Sequence, residues 1–336
     1  MRFGLVVFLT VTLGHSSPLG QRQFRDERFA PVIEVNVSNV LIPVNVTGQD
    51  GSQVFGLKPS DFSIFENKIE QKVVSLTREE VSISLSILLD VSDSMKPDRM
   101  PSKLWYGEVA SGGLRTFKNA KITVALNVVD EVLADIDYFN HLKRDDPLRK
   151  DDIISFTTFA KDIVYSVDFG ADIGRLKASL QHSIEVGTST KLREGIKFAI
   201  ADMKRHLREG GKLPTRRVLL IISDGVEVLP FWYSDSALFR DIAETGLNIY
   251  AIGPIERDGL FDKMAEETGG KVYIVKNVHE VPDVVSRLLQ DMHGQYLLGF
   301  ESTFPPDGEW HKIRIRLPGY PDYQVSHKSG YYAEPR

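Results

Sequence analysis

Three stretches of this sequence carry oxygen-bearing side chains at spacings that suit a hard metal ion. Asp90, Ser92 and Ser94 stand two residues apart, directly after the apolar run 83–89. Asp224, followed by Gly225, ends a second apolar run, 218–223. Between them, Gly187-Thr-Ser-Thr190 lies just ahead of an amphipathic segment, so a hydroxyl from Thr188 or Thr190 can reach the same point. In open α/β sheets, ligands bind where parallel strands deliver the chain at their carboxyl ends. Carboxylates combined with hydroxyls form a hard oxygen set, suited to Mg²⁺, Mn²⁺ or Ca²⁺ and not to soft metals. The expected metal ligands are therefore Asp90, Ser92, Ser94, Thr190 and Asp224, with Thr188 as the rival in the loop. A lone Asp/Ser pattern also makes local turns, so the assignment rests on all three segments in order.

Other chemistry lacks a signal. The chain has no cysteine, which removes disulfides, thiolate zinc sites, thiol nucleophiles and iron–sulfur clusters. No G-x-S-x-G elbow, phosphate-binding loop or G-x-G-x-x-G is present. The histidines lack metal-ligand spacing such as H-E-x-x-H. The 336 residues are 42% hydrophobic and 26% charged, with a net charge of −5. That composition fits a globular protein and disfavours a nucleic-acid surface. Asn36 and Asn45 begin N-x-S/T sequons, relevant only in a eukaryotic secretory host.

The elements that must position the oxygens follow from the hydrophobic pattern. Arg2, an apolar run from Phe3 to Leu13 and a small-residue exit at Ser16 and Ser17 read as a signal peptide, 1–17. The run is too short to span a bilayer, which takes about 20 residues. The competing reading is a buried N-terminal strand. Residues 18–30 are polar and read as a flexible leader. From 31 to 80 the texture is alternating β. From 81 to 294 apolar strands alternate with amphipathic helices, and Ala120, Val124, Val128, Val132 and Ile136 form one helical stripe. This implies a Rossmann-like, doubly wound, mainly parallel sheet. The β texture returns over 295–336. Isolated hairpins are marginal in water, so the two β flanks are expected to pair into one discontinuous β-domain carrying the α/β domain as an insert. Two separate appendages are the alternative.

At the oxygen-bearing residues the sequence resembles the von Willebrand factor type A (VWFA) domain and its metal-ion-dependent adhesion site (MIDAS). Asp90, Ser92 and Ser94 match D-x-S-x-S, Thr190-Lys-Leu matches the T-x-L loop, and Ser223-Asp224-Gly225 matches [ST]-D-G. The resemblance covers about 82–293. The flanking stretches VFGLKPSDFSIFEN and QYLLGFES…GYYA are similar to those of a secreted acidobacterial VWFA-related group. It implies a divalent-cation-dependent, adhesion-type module, secreted or periplasmic, that engages a carboxylate on a protein partner and breaks no bond.

Two further stretches bear on specificity. Residues 96–118 separate the D-x-S-x-S turn from the first helix and carry Trp105 and Tyr106, and the segment after Gly225 carries Phe231, Trp232 and Tyr233. Loop aromatics beside a metal are expected partner contacts, with a local lid as the alternative. A Mg²⁺-dependent hydrolase using Asp90 or Ser92, or an envelope component with a vestigial site, are the rival functions. The latter two differ from the adhesion reading in turnover and in metal uptake.

Overall fold

Fifteen strands and six α-helices make up the secondary structure of the computed structural model, which describes residues 38–78, 82–95, 103–105, 120–142, 152–180, 183–185, 189–209, 216–227, 233–254 and 259–333. All belong to one unit, Val37–Arg336. The expected signal peptide and leader lie outside the described residues.

The chain begins with β1 (Ser38–Thr47), β2 (Ser63–Glu66) and β3 (Ile69–Arg78). Then come β4 (Ile83–Asp90), the short β5 (Lys103–Trp105), α1 (Lys121–Leu142), β6 (Ile153–Phe159) and β7 (Ile163–Val167). They are followed by α2 (Ile173–Leu180), β8 (Ser183–Glu185), α3 (Leu192–Arg208), β9 (Arg216–Ile222) and α4 (Asp235–Thr245). The last α/β elements are β10 (Asn248–Gly253), α5 (Gly259–Thr268), β11 (Val272–Ile274) and α6 (Val281–His293). Four strands close the chain: β12 (Tyr296–Ser302), β13 (Trp310–Arg316), β14 (Gln324–His327) and β15 (Gly330–Tyr332).

The six-stranded sheet runs β11-β10-β9-β4-β6-β7. All neighbours are parallel except the edge strand β7, which is antiparallel to β6. Strand β4 lies at its centre and is buried along its whole length. One face of β4 (Ile83, Leu85, Ile87, Leu89) packs with α1 and α6, and the other reaches α3, α4 and α5 through Leu88. Ser86 stays buried inside because its hydroxyl accepts from Ser155, 3.1 Å away on β6. The stripe read on α1 does face the core: Val124, Val128, Val132 and Ile136 are fully buried. Each such side chain contributes about 1.5–3 kcal/mol, which fixes the start of α1 against the sheet. Strand β7 and helix α2 escaped the sequence reading; β7 is half-exposed and α2 spans only eight residues.

The second sheet has the order β14-β1-β12-β3-β2-β13-β15 and takes strands from both ends of the chain. Its inner face carries Ile42, Val44, Ile64, Leu298, Phe300 and Ile313. Strands β14 and β15 sit at opposite ends of that order, yet only Lys328 and Ser329 separate them in sequence. The sheet therefore curls until its two edges meet. The seam is bridged by His327, whose Nε2 accepts the Ile315 amide (3.1 Å) while Nδ1 bonds Lys328 O (2.8 Å). Asn45 on β1 is buried and donates to Tyr250 Oη and Asp291 O, so this sequon is spent on packing.

That seam is expected to respond to acid. Burial holds the His327 imidazole below its usual range, against the backbone bond to Lys328 that favours the cation. A depressed histidine resists protonation only in the folded state, so its contribution is present above the ordinary histidine value and lost as the pH falls below it. Acidifying from about pH 7.5 to about pH 5 should therefore lower the melting temperature of the wild type more than that of His327→Gln. Glutamine keeps one donor and one acceptor without titrating. Equal losses in both proteins would remove the seam from the acid response.

Candidate metal centre

The oxygen-bearing residues meet at the carboxyl ends of β4 and β9, the two central strands. Parallel pairing of Leu89 with Ile222 brings both strand ends level, so the turns after them face each other. After β4 the chain makes a short 3₁₀ turn, Asp93–Met95, anchored by Met95 in the core. This turn lifts the Ser94 hydroxyl over Asp224. Thr190 arrives from a third direction, just ahead of α3. That helix sits close on β6, where a Cβ on Gly195 would stand 3.0 Å from the Phe159 ring.

Four of the five side chains form one hydrogen-bonded string. Thr190 Oγ1 donates to Ser92 Oγ (2.6 Å), the Ser92 and Ser94 hydroxyls are 3.0 Å apart, and Ser94 Oγ donates to Asp224 Oδ1 (3.3 Å). Asp90 lies beneath them. Its Oδ1 accepts the Ser92 amide (2.9 Å) and its Oδ2 accepts Ser223 Oγ (2.7 Å). Asp90, Ser92, Ser223 and Asp224 are completely buried and Thr190 nearly so. Thr190 thus stands in the cluster, while Thr188 lies outside the described residues. The sequence placed Asp90 outside the core; the structure buries it, because the turns after β4 and β9 close over the strand ends.

Burial pushes the Asp90 carboxyl up to about 6, although the bonds from Ser92 and Ser223 pull it down; the nearby Asp224 charge adds to the rise. Two carboxylates and three hydroxyls, all oxygen, are what a hard divalent cation takes. Among the described residues no group of three or more His, Asp or Glu side chains is arranged to hold a metal. Hydroxyls must therefore supply most of the donors, and the residues present fit Mg²⁺ or Mn²⁺ better than a soft ion.

Three supporting groups were not read from sequence. Lys121, the first residue of α1, places its ammonium 2.8 Å from Asp224 Oδ2. Arg193 on α3 pairs with Glu227 and with Asp235 (2.7 Å to the latter), and its amide donates to Glu227 Oε1 (2.9 Å). Glu227 thereby ties the Asp224 turn to the helix that follows Thr190. Gly253, ending β10, lies against the Ser223 backbone. A charged residue two positions past the S-D-G turn was the available sequence signal for Glu227, but only folding supplies its partner.

The brace has a measurable consequence. Glu227→Gln should cost about 2 kcal/mol, since the α3 amide keeps a cap and Arg193 keeps Asp235 while one buried charge-assisted bond weakens. Denaturant unfolding of the two proteins checks this; a difference below about 0.5 kcal/mol would show that the brace carries nothing.

The loop aromatics fare differently. Tyr233 is buried, packs in the core between α3 and α4, bonds Asp241 and lies under Lys197 (5.1 Å to its ring). It is a core residue and offers no face to a partner. Trp105 ends β5, which pairs with β8; Tyr106, Phe231 and Trp232 lie outside the described residues.

No protein-family model and no curated protein matches this chain. Among solved structures it is similar to proximal thread matrix protein 1 (PTMP1) from the mussel byssus, at 13% identity, over 64% of this chain and 49% of that one, with a TM-score of 0.45. The same values hold for that protein with a zinc occupied MIDAS motif. This chain spans about half the length of PTMP1. An aerotolerance-related membrane protein from Bacteroides fragilis NCTC 9343, carrying multiple mutations to serines, aligns at 16% identity over 63% of this chain and 98% of its own, TM-score 0.42. The SpRpn10 VWA domain aligns at 15% over 62% and 95%, TM-score 0.38.

Proposed function

We propose that this protein is a divalent-cation-dependent binding module of the VWFA type, secreted or periplasmic, and not an enzyme. The observation that carries the reading is the hydrogen-bonded string from Thr190 through Ser92 and Ser94 to Asp224, seated over buried Asp90 at the strand ends. Asp90, Ser92, Ser94, Thr190 and Asp224 would hold Mg²⁺, with Mn²⁺ or Ca²⁺ as substitutes. When bound, the ion supplies a concentrated positive charge that attracts an anionic oxygen. The partner is a protein offering an Asp or Glu side chain. Trp105, Tyr106, Phe231 and Trp232 remain candidates for the partner contacts that select among acidic partners. The secreted or periplasmic location rests on the signal-like start; among the described residues no helix is long and apolar enough to cross a membrane.

The hydrolytic alternative finds little support in the local chemistry. Both Asp90 oxygens already accept hydrogen bonds, and the partners of Ser92 Oγ are the Thr190 and Ser94 hydroxyls and the buried Asp90 carboxyl, with no imidazole among the described residues placed to take its proton. The deciding experiment is calorimetric titration of Mg²⁺ and Mn²⁺, followed by capture of partners from the host's extracellular fraction with and without EDTA. Saturable metal uptake and EDTA-sensitive capture are the expected results. A protein that takes up no metal at millimolar concentration would instead be the vestigial-site component.

A further inference from the structure

Lys121 stands where helix electrostatics disfavour it. The first turn of a helix carries partial positive charge, so carboxylates are favoured there and cations are not. The first turn of α1 has no acidic residue, and its first residue is a lysine. Behind it, Ile122, Thr123, Val124 and Ala125 are all buried, so this end of α1 is fixed in the core. What the lysine gains is Asp224, a completely buried carboxylate whose Oδ2 it meets at 2.8 Å. The other oxygen, Oδ1, accepts Ser94 Oγ (3.3 Å) and the Val226 amide (3.1 Å). A buried carboxylate demands compensation, and here the compensation is an ammonium group on a side chain partly open to solvent.

We propose that Lys121 is a built-in counter-cation of the centre: it neutralises Asp224 while no metal is bound, and it sets the divalent-cation affinity by competing for that carboxylate. This rests on reading the centre as a metal site. Two carboxylates and one ammonium leave one negative charge, whereas the two carboxylates alone match a divalent ion. An entering ion therefore meets the repulsion of the ammonium or must displace it. The arrangement keeps the site folded at low metal concentration and raises the concentration of ion needed to load it. It also assigns the lysine a role in the strength of any partner contact made through the ion.

The test is calorimetric titration of Mg²⁺ and Mn²⁺ into the wild type, Lys121→Met, Lys121→Gln and Lys121→Arg, together with thermal melting of each protein in EDTA. Glutamine retains a donor for Asp224 without the charge, which guards against a methionine variant that folds poorly. Both neutral variants should bind metal about ten-fold tighter than wild type, while the arginine variant stays within about two-fold. In EDTA the neutral variants should melt lower, and added Mg²⁺ should stabilise them more than it does the wild type. If the wild type binds metal and the folded neutral variants bind it equally or more weakly, the counter-cation inference is wrong and the metal reading stands. If none of the four binds metal, both fail.

Discussion

Asparagine in place of Asp90 is expected to lower Mg²⁺ affinity by at least about 100-fold, while the chelated protein keeps its melting temperature within about 3 °C. Of the five oxygen donors only Asp90 and Asp224 carry charge, and Lys121 already offsets the latter. Two unit charges at about 4 Å attract by about 4 kcal/mol at an effective dielectric near 20, and a divalent ion doubles this. Desolvation of the ion offsets part of the gain, which makes a 100-fold loss a modest demand. The fold should survive because the amide oxygen still accepts the Ser92 amide, and the Ser223 hydroxyl can turn to accept from the new NH₂. An asparagine also relieves the burial of a charge that the site already disfavours. Alanine is the wrong probe, since it would strand both Ser92 N–H and Ser223 Oγ in a closed site. Unchanged Mg²⁺ binding in a folded Asp90→Asn protein would remove Asp90 from the metal ligands.

The second large effect is expected at Gly253, which touches no ligand. Its φ of 151° lies where side chains are strained, and a Cβ there would stand 2.5 Å from Ser223 O. That oxygen belongs to backbone and cannot swing aside. Gly253→Ala should therefore cost about 2–5 kcal/mol, combining backbone strain with overpacking. It should also weaken metal binding by about ten-fold or more, because metal–ligand distances tolerate only about 0.2 Å and the Ser223–Asp224 turn must move. Gly259 at the start of α5 has open space around its would-be Cβ. The same substitution there should change stability by less than about 1 kcal/mol and leave metal affinity alone. Equal effects at the two glycines would show that the close approach at Gly253 is not what holds the turn.

The sequence alone determined the alternation of strands and helices and the oxygen donors. An apolar run that ends in Asp90-Val-Ser-Asp-Ser can be read directly, because a strand covered on both faces is apolar throughout and chemistry collects at its carboxyl end. The stripe on α1 was equally legible, since a helix turning every 3.6 residues must repeat its apolar positions to bury one face. Strand β7, exposed on much of its surface, leaves no such imprint.

What only the tertiary structure decided is which residues become neighbours across the chain. Lys121 and Asp224 are 103 residues apart, Thr190 and Ser92 are 98 apart, and Asp90 reaches Ser223 over 133. Nothing in local propensity encodes such contacts; they follow from the parallel register of β4 with β9 and from the packing of α1 and α3 on opposite faces. Packing likewise chose between two fates for loop aromatics, drawing Tyr233 into the core where its hydroxyl finds Asp241. It buried Asp90, which a strand-end position alone left at the surface, because turns from two strands close over it. A set of oxygen-bearing side chains can be spelled in sequence, since it depends on side-chain type and spacing. The charge balance around it cannot, since it depends on which distant cation the fold delivers.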